Sequence, residues 1–449
     1  MDVSIIETSG LGDRSYLVTH RGIAVVVDPQ RDIDRVLALA EKRQVRITYV
    51  LETHLHNDYV TGGLELSRSV GADYAVPAGD DVDYDRRAVT DGDIIDAGPI
   101  HLEVLHTPGH THHHVSYVLR DDTGTVHGVF TGGSMLYGTT GRTDLIGPDE
   151  TEGLSHAQYH SVHKLADRLP PDTPIYPTHG FGSFCSATPA SGDSSTIAEQ
   201  RSTNPALTQD EQSFVDELLA GLSAYPAYYA HMGVINREGP APVDLTPPVI
   251  VDPAELRRRI NTGEWVIDLR TRTAFAAGHL PGTLGFELSG SFVSYFGWLY
   301  DWGAPITVIG DSAEQVAEAK RELVRIGVDR LIGAATDSID TLADSSQLGS
   351  YPVADFADLA EKLGSGSASV LDVRQTHEYD KEHIPGATSI PLHELPNRLD
   401  DMPAGPVWVH CGSGYRASIA TSLLDRAGIE VVLIDDTFAK AGELGLTAK

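Results

Sequence analysis

The feature that most constrains this chain is a repeat inside it. VIDLRTRTAFAAGHLPGT at 266–283 and VLDVRQTHEYDKEHIPGA at 370–387 align when the sequence is slid against itself by 104 residues. A repeat of that length means two related domains in tandem, not a solenoid of short units. Each copy reads helix, buried strand, polar turn, then a second apolar strand and a helix, the pattern of a small doubly wound α/β unit. The copies part at the second strand. PVWVH runs into CGSGYR and the helix ASIATSLLDRAG in the later copy, whereas PITVI runs into GDSAEQVAEAKREL in the earlier one. Gly310 and Gln315 therefore stand where Cys411 and Arg416 stand.

A cysteine at the end of a parallel strand, followed by a glycine-bearing loop that opens a helix, sits where backbone N–H groups converge on an anion. Gly412, Ser413, Gly414 and Tyr415 form that cradle, suited to a thiolate or to the bound sulfur of a persulfide. Arg416 closes the loop with a fixed positive charge that can orient an anionic donor. Cys185 is the other cysteine, more than two hundred residues away, so no disulfide framework of the secreted kind is expected. Formal charge is −31, from 33 basic and 64 acidic residues, which opposes nucleic acid as a partner and favours a small molecule.

Ahead of the repeat, residues 1–235 alternate short β-branched runs (IAVVVD, ITYVLETH, HVSYVL) with helical patterns such as DIDRVLALAEKR, as in a layered α/β domain. The stretch 236–247, polar and proline-bearing, reads as a linker to domains at 248–345 and 346–449. The N-terminus lacks a basic region followed by an apolar core, and no stretch nears the roughly 20 apolar residues of a membrane span. A cytoplasmic protein with no membrane partner is expected, and the sequence allows a homo-oligomer. In ETHLHNDYVTGG, His54, His56 and Asp58 leave a strand end at alternate positions, which is metal-ligand spacing. HTPGH and YPTHG each add a histidine, His110 and His179, beside glycine or proline after a strand. His112, His113 and His114 follow His110, and neighbours in a strand face opposite ways, so not all three can reach one ion.

DVR, HIPGA and CGSGYRAS together resemble the rhodanese family of sulfurtransferases, over about residues 353–435. That resemblance implies that Cys411 forms a persulfide, with thiosulfate or a glutathione persulfide as donor. The earlier copy then resembles the inactive rhodanese modules of tandem pairs. In THLHNDYVTGG, HTPGHT, FTGGSMLYGTTGRTDL, YPTHG and TIAEQRSTNPALT, residues 1–235 resemble the metallo-β-lactamase fold, an αββα sandwich. Within it they are similar to persulfide dioxygenases and their glyoxalase II-like relatives.

The resemblance implies one Fe(II), bound by two histidines and an aspartate, with a glutathione-type persulfide as substrate. His54 and His110 match the family's histidines, and Arg142, Tyr176 and Arg201 match positions of its substrate pocket. Two positions depart. Tyr59 replaces a histidine of the second metal position, and Gly133 replaces the FTGD carboxylate. Asp58 could supply the missing carboxylate, or His56 could complete a three-histidine site. Zinc in place of iron, a metal-free persulfide-binding module beside the sulfurtransferase, and a thioester hydrolase are the competing expectations.

Overall fold

A computed structural model describes residues 1–448 apart from Pro189, Ser191, Asp344, Ser367 and Ala404. The chain divides into one compact unit of Met1–Asp244 with Val324–Gly327, and another of Leu245–Leu323 with Val328–Lys449.

Two sheets build the first unit among the described residues. One orders β1 (Asp2–Thr8), β2 (Asp13–His20), β3 (Ile23–Val27), β4 (Arg46–Leu51), β5 (Asp73–Pro77) and β6 (Arg87–Val89) in sequence. The other runs β11 (Ile175–Pro177), β10 (Val126–Gly132), β9 (Val115–Asp121), β8 (Ile100–His106), β7 (Ile94–Asp96). Alternation along the strands makes the layers. In β2 and β3, Tyr16, Val18, Val25 and Val27 meet Leu102, Val104, Tyr117 and Phe130 of the other sheet. Their neighbours Leu17, Ala24 and Val26 pack instead with Val36 and Ala40 of the helix Asp34–Arg43. On the far side Val118 and Val129 meet Val162, Leu165 and Ala166 of the helix Thr151–Arg168. The result is the expected αββα sandwich, each buried Val or Leu contributing about 1.5–3 kcal/mol.

The second unit carries parallel sheets. β12 (Trp265–Asp268), β13 (Leu284–Gly285), β14 (Ile306–Ile309) and β15 (Leu331–Ala335) lie in the order β13-β12-β14-β15, extended by a bridge from Ile250 to Ala334. β16 (Val353–Ala354), β17 (Ser369–Asp372), β18 (Thr388–Ser389), β19 (Val407–His410) and β20 (Val431–Ile434) lie in the order β18-β17-β19-β20-β16. These orders are the same once the repeats are superposed. In both copies the strand leading to the loop is central, so the loop starts at the carboxyl end of a buried strand, where α/β sheets place their ligands.

Candidate functional site

His54, His110 and His179 follow the carboxyl ends of β4, β8 and β11 and come together there. Ring nitrogens of His54, His110 and His179 lie within 4.8 Å of one another, and all three residues are no more than 1% exposed. Hydrogen bonds fix which nitrogen faces the cluster. Thr53 Oγ1 donates to Asp28 Oδ2 at 2.8 Å and so accepts from His54 Nδ1 at 2.9 Å, leaving the unprotonated His54 Nε2 to face the cluster. His110 Nδ1 donates to the Arg142 carbonyl at 2.7 Å, and its Nε2 is buried without a partner among the described residues. Burial and then the neighbouring rings hold His54 well below the usual imidazole range, and burial with His179 pushes His110 down to about 3. Both are neutral, as metal ligands must be.

His179 is the charged member. Its Nδ1 donates to Asp13 Oδ1 at 2.9 Å and faces Asp58 Oδ2 at 3.0 Å, and its Nε2 lies 3.3 Å from His54 Nε2. Burial opposes the charge, but Asp58 and Asp13 outweigh it and raise the His179 pKa to about 10. Asp58 Oδ1 is buried without a partner among the described residues. A second set, His56, Asp58 and His179, gathers within the same 4.8 Å limit, so His179 is common to both sets.

His56 belongs to a different hydrogen-bond network. Its Nε2 sits 3.2 Å from Glu52 Oε2, 3.3 Å from Asp28 Oδ1 and 3.0 Å from the Tyr59 hydroxyl. Tyr59 stacks on the His56 ring, with centroids 4.3 Å apart. The side chain that replaces a family histidine thus clamps the neighbouring one. With His110 as placed, position 133 has no room for a side chain: a Cβ there would lie 2.2 Å from His110 Cδ2. Its N–H donates to His114 Nε2 at 3.0 Å, while His114 Nδ1 bonds Thr107 Oγ1 at 2.9 Å. Both nitrogens of His114 are therefore used to hold the turn, and His112 and His113 face outward.

Arg142 Nε and Nη2 grip Asp144 at 2.6 and 2.7 Å, Nη1 donates to Phe184 O, and Nη2 also donates to Ser223 O. It bears on the cluster through its carbonyl. Tyr176 points between the sheets, with ring centroids 5.5 Å from Tyr16 and 5.2 Å from Phe130, because β11 alternates and Ile175 takes the helix side. Arg201 is exposed, 3.4 Å from Asp167. Cys185 is buried, its thiol pushed up by burial and by Asp58, with Sγ 3.7 Å from the Tyr229 hydroxyl. Asp13, Asp28 and Glu52 are the residues the sequence reading missed. One available signal was the IAVVVD strand end, where Asp28 turns with φ 50.

In the second unit Cys411 is 1% exposed at the end of β19, and the helix Tyr415–Arg426 starts four residues on. Gly414 has φ 85, and a Cβ on it would lie 2.2 Å from Asp435 Oδ1, so only glycine makes this turn. Arg416 is held by Glu378, Nη1 to Oε2 at 2.5 Å and Nη2 to Oε1 at 2.9 Å. The Tyr415 hydroxyl donates to Glu287 O at 2.8 Å, so the earlier copy anchors this loop.

Residues 11–179 match the Metallo-beta-lactamase superfamily and residues 355–441 the Rhodanese-like domain family. The mitochondrial persulfide dioxygenase of Homo sapiens is 34% identical over 215 residues, 47% of this chain and 76% of that protein. The cytoplasmic hydroxyacylglutathione hydrolase of Arabidopsis thaliana is 36% identical over 172 residues, 37% of this chain and 63% of that protein. Among solved structures, a metallo-beta-lactamase from Staphylococcus aureus superposes with a TM-score of 0.66 at 29% identity, covering 75% of this chain and 98% of that one. By sequence and by fold, then, this chain belongs to the persulfide dioxygenases of the metallo-β-lactamase superfamily and carries a rhodanese-like domain behind that first unit.

Proposed function

We propose that the chain metabolises persulfides at two centres: a metal centre in the first unit that oxidises a glutathione-type persulfide to sulfite with release of the thiol, and Cys411, which carries sulfane sulfur. The observation that carries the first half is the orphaned His110 Nε2, buried within the set it forms with His54 and His179, with the unpartnered Oδ1 of Asp58 next to His179. Imidazoles with one carboxylate suit Fe(II) and also zinc, and the dioxygenase activity for which the relatives are named favours the redox-active ion. His54, His110 and His179 would hold the ion, with Asp58 in place of a carboxylate at 133. Iron bound there supplies the activation of dioxygen.

The surrounding residues orient this set. Thr53, the Arg142 carbonyl and the Asp13–Asp58 pair fix the three rings, as outer partners do in metal sites. Burial of every member excludes water from the reactive sulfur. His179 must lose a proton to bind, so loading should release one. Tyr59 capping His56 argues against the second metal that a thioester hydrolase needs.

At Cys411 the thiolate attacks the outer sulfur of a donor, the new S–S bond forms, and the donor's thiolate leaves with the electron pair. The Gly412–Tyr415 amides receive the bound sulfur. Metal analysis of the purified full chain, paired with oxygen uptake on glutathione persulfide, tests the first centre. One equivalent of iron with oxygen consumption is expected; absence of stoichiometric metal sinks the dioxygenase. Thiocyanate formation with cyanide as acceptor tests the second, and its survival in Cys411→Ser would refute the role of Cys411.

A further inference from the structure

The cations around Cys411 are already spent. Arg416 places both terminal nitrogens on Glu378, the fork with which arginine otherwise grips a bound anion, with side chains 13% and 28% exposed. Arg272, from the earlier copy, is shared by two carboxylates. Its Nε meets Asp435 Oδ1 at 2.6 Å and its Nη1 meets Glu287 Oε2 at 2.7 Å, and the same Asp435 oxygen packs against Gly414 of the loop. Tyr295, within electrostatic reach of Cys411, Arg416 and Glu378, is a phenol that burial keeps neutral. Arg374, which also acts on Glu378, is clasped by Asp372, so among the described residues three positive charges face four negative ones.

The repeat adds an independent observation. At the position of Glu378 the earlier copy has Ala274, and at that of Arg416 it has Gln315. The carboxylate is absent where the arginine is absent.

A dianion such as thiosulfate needs an uncompensated cation, and the loop offers none without breaking the Glu378 fork. A protonated thiol persulfide, R–S–SH, has no formal charge on the sulfur that is attacked and needs only the loop amides. We propose that Glu378 sets the donor class at Cys411: by occupying Arg416 it disfavours dianionic donors and leaves the site to thiol persulfides. This rests on the sulfur-transfer reading of Cys411. In the favoured step the Cys411 thiolate attacks the outer sulfur of R–S–SH, a Cys411–S–SH bond forms, and the R–S bond to that sulfur breaks. R–S⁻ leaves with the electron pair and the proton stays on the transferred sulfur, so no outside oxidant is consumed.

The test is the rate at which the anaerobic full-length protein gains one sulfur atom, followed by intact mass, from glutathione persulfide and from inorganic thiosulfate. Wild type should load faster from the persulfide. Glu378→Gln should lower the persulfide-to-thiosulfate ratio by about tenfold, and Glu378→Asp should keep the wild-type ratio. A merely structural role would slow both donors together, so an unchanged ratio in Glu378→Gln overturns the proposal, as does wild type that prefers thiosulfate. In wild type, added salt should not slow thiosulfate loading; a fall, the mark of a dianion drawn to a net cation, overturns it as well. Sulfur gained by Cys411→Ser as readily as by wild type, or by neither, would overturn the reading of Cys411 and this proposal with it, which is distinct from loading at Cys411 with an unchanged donor ratio.

Discussion

The two copies of the second unit keep one scaffold and differ in what they mount on it. In both, an Asp two residues before an Arg clasps it: Arg270 Nη2 meets Asp268 Oδ2 at 2.6 Å, and Arg374 Nη2 meets Asp372 Oδ2 at 2.7 Å. In both, a histidine stacks on an aromatic one turn earlier, His279 on Phe275 at 4.1 Å and His383 on Tyr379 at 4.2 Å. The loops diverge. Gln315 Oε1 accepts from Asp311 N at 2.6 Å and its Nε2 donates to Leu269 O at 3.2 Å, so the earlier loop is closed by its own side chain. In register, Ile309 pairs with Asp268 and His410 with Asp372, so a buried apolar residue precedes the closed loop and a buried histidine precedes Cys411. Fold and chemistry are thus carried by separate residues, and chemistry can be removed without touching the fold.

The sharpest way to break that comparison is at the loop. Cys411→Ser should lower thiocyanate formation by about a thousandfold or more, while Gly310→Cys in the earlier copy should add no activity. Activity from Gly310→Cys would mean that Gln315 does not close its loop. Next comes the shared clasp. Asp268→Ala and Asp372→Ala each strand a buried guanidinium and should each cost roughly 3–5 kcal/mol in urea unfolding of their copy. A large loss in one and a small loss in the other would deny the common scaffold.

The stacked histidines should matter less, about 1 kcal/mol each on replacement by alanine. His279→Ala should cost more than His383→Ala, because His279 Nε2 also lies 3.0 Å from Asp425 Oδ2. Smallest is Glu378→Gln. Burial raises the Glu378 pKa, but Arg416 outweighs it and holds the carboxyl below its usual range. A depressed folded pKa contributes stability above the unfolded value and loses it as pH falls through the folded one. With both partners partly solvated, the variant should be less stable by about 0.5–1 kcal/mol at pH 7, and the difference should shrink as pH falls below the usual carboxylate range and vanish once Glu378 is protonated in the folded protein. A difference that persists in acid would mean that Glu378 stabilises by packing.

Much of this was legible in the residues because it is local. The repeat, the strand–cysteine–glycine loop and the histidines at strand ends are patterns within a dozen residues, and periodicity reports which face a side chain takes. Tyr176 shows the limit of that reading. It opens YPTHG and the family resemblance put it in the substrate pocket, yet its ring joins the core between the sheets while His179, three residues on, enters the cluster.

The sequence by itself determined that this chain holds a layered histidine-rich domain and two related α/β copies, one with a cysteine loop. It did so through hydrophobic alternation and a repeat, both written along the chain. Only the tertiary structure decided which histidines gather, that Tyr59 clamps His56, that Arg142 is committed to Asp144, and that Glu378 fills the fork of Arg416. Those pairings join residues 38 apart for Glu378 and Arg416, and 125 apart for His54 and His179. Their geometry depends on how whole sheets stack, which no local pattern of residues encodes.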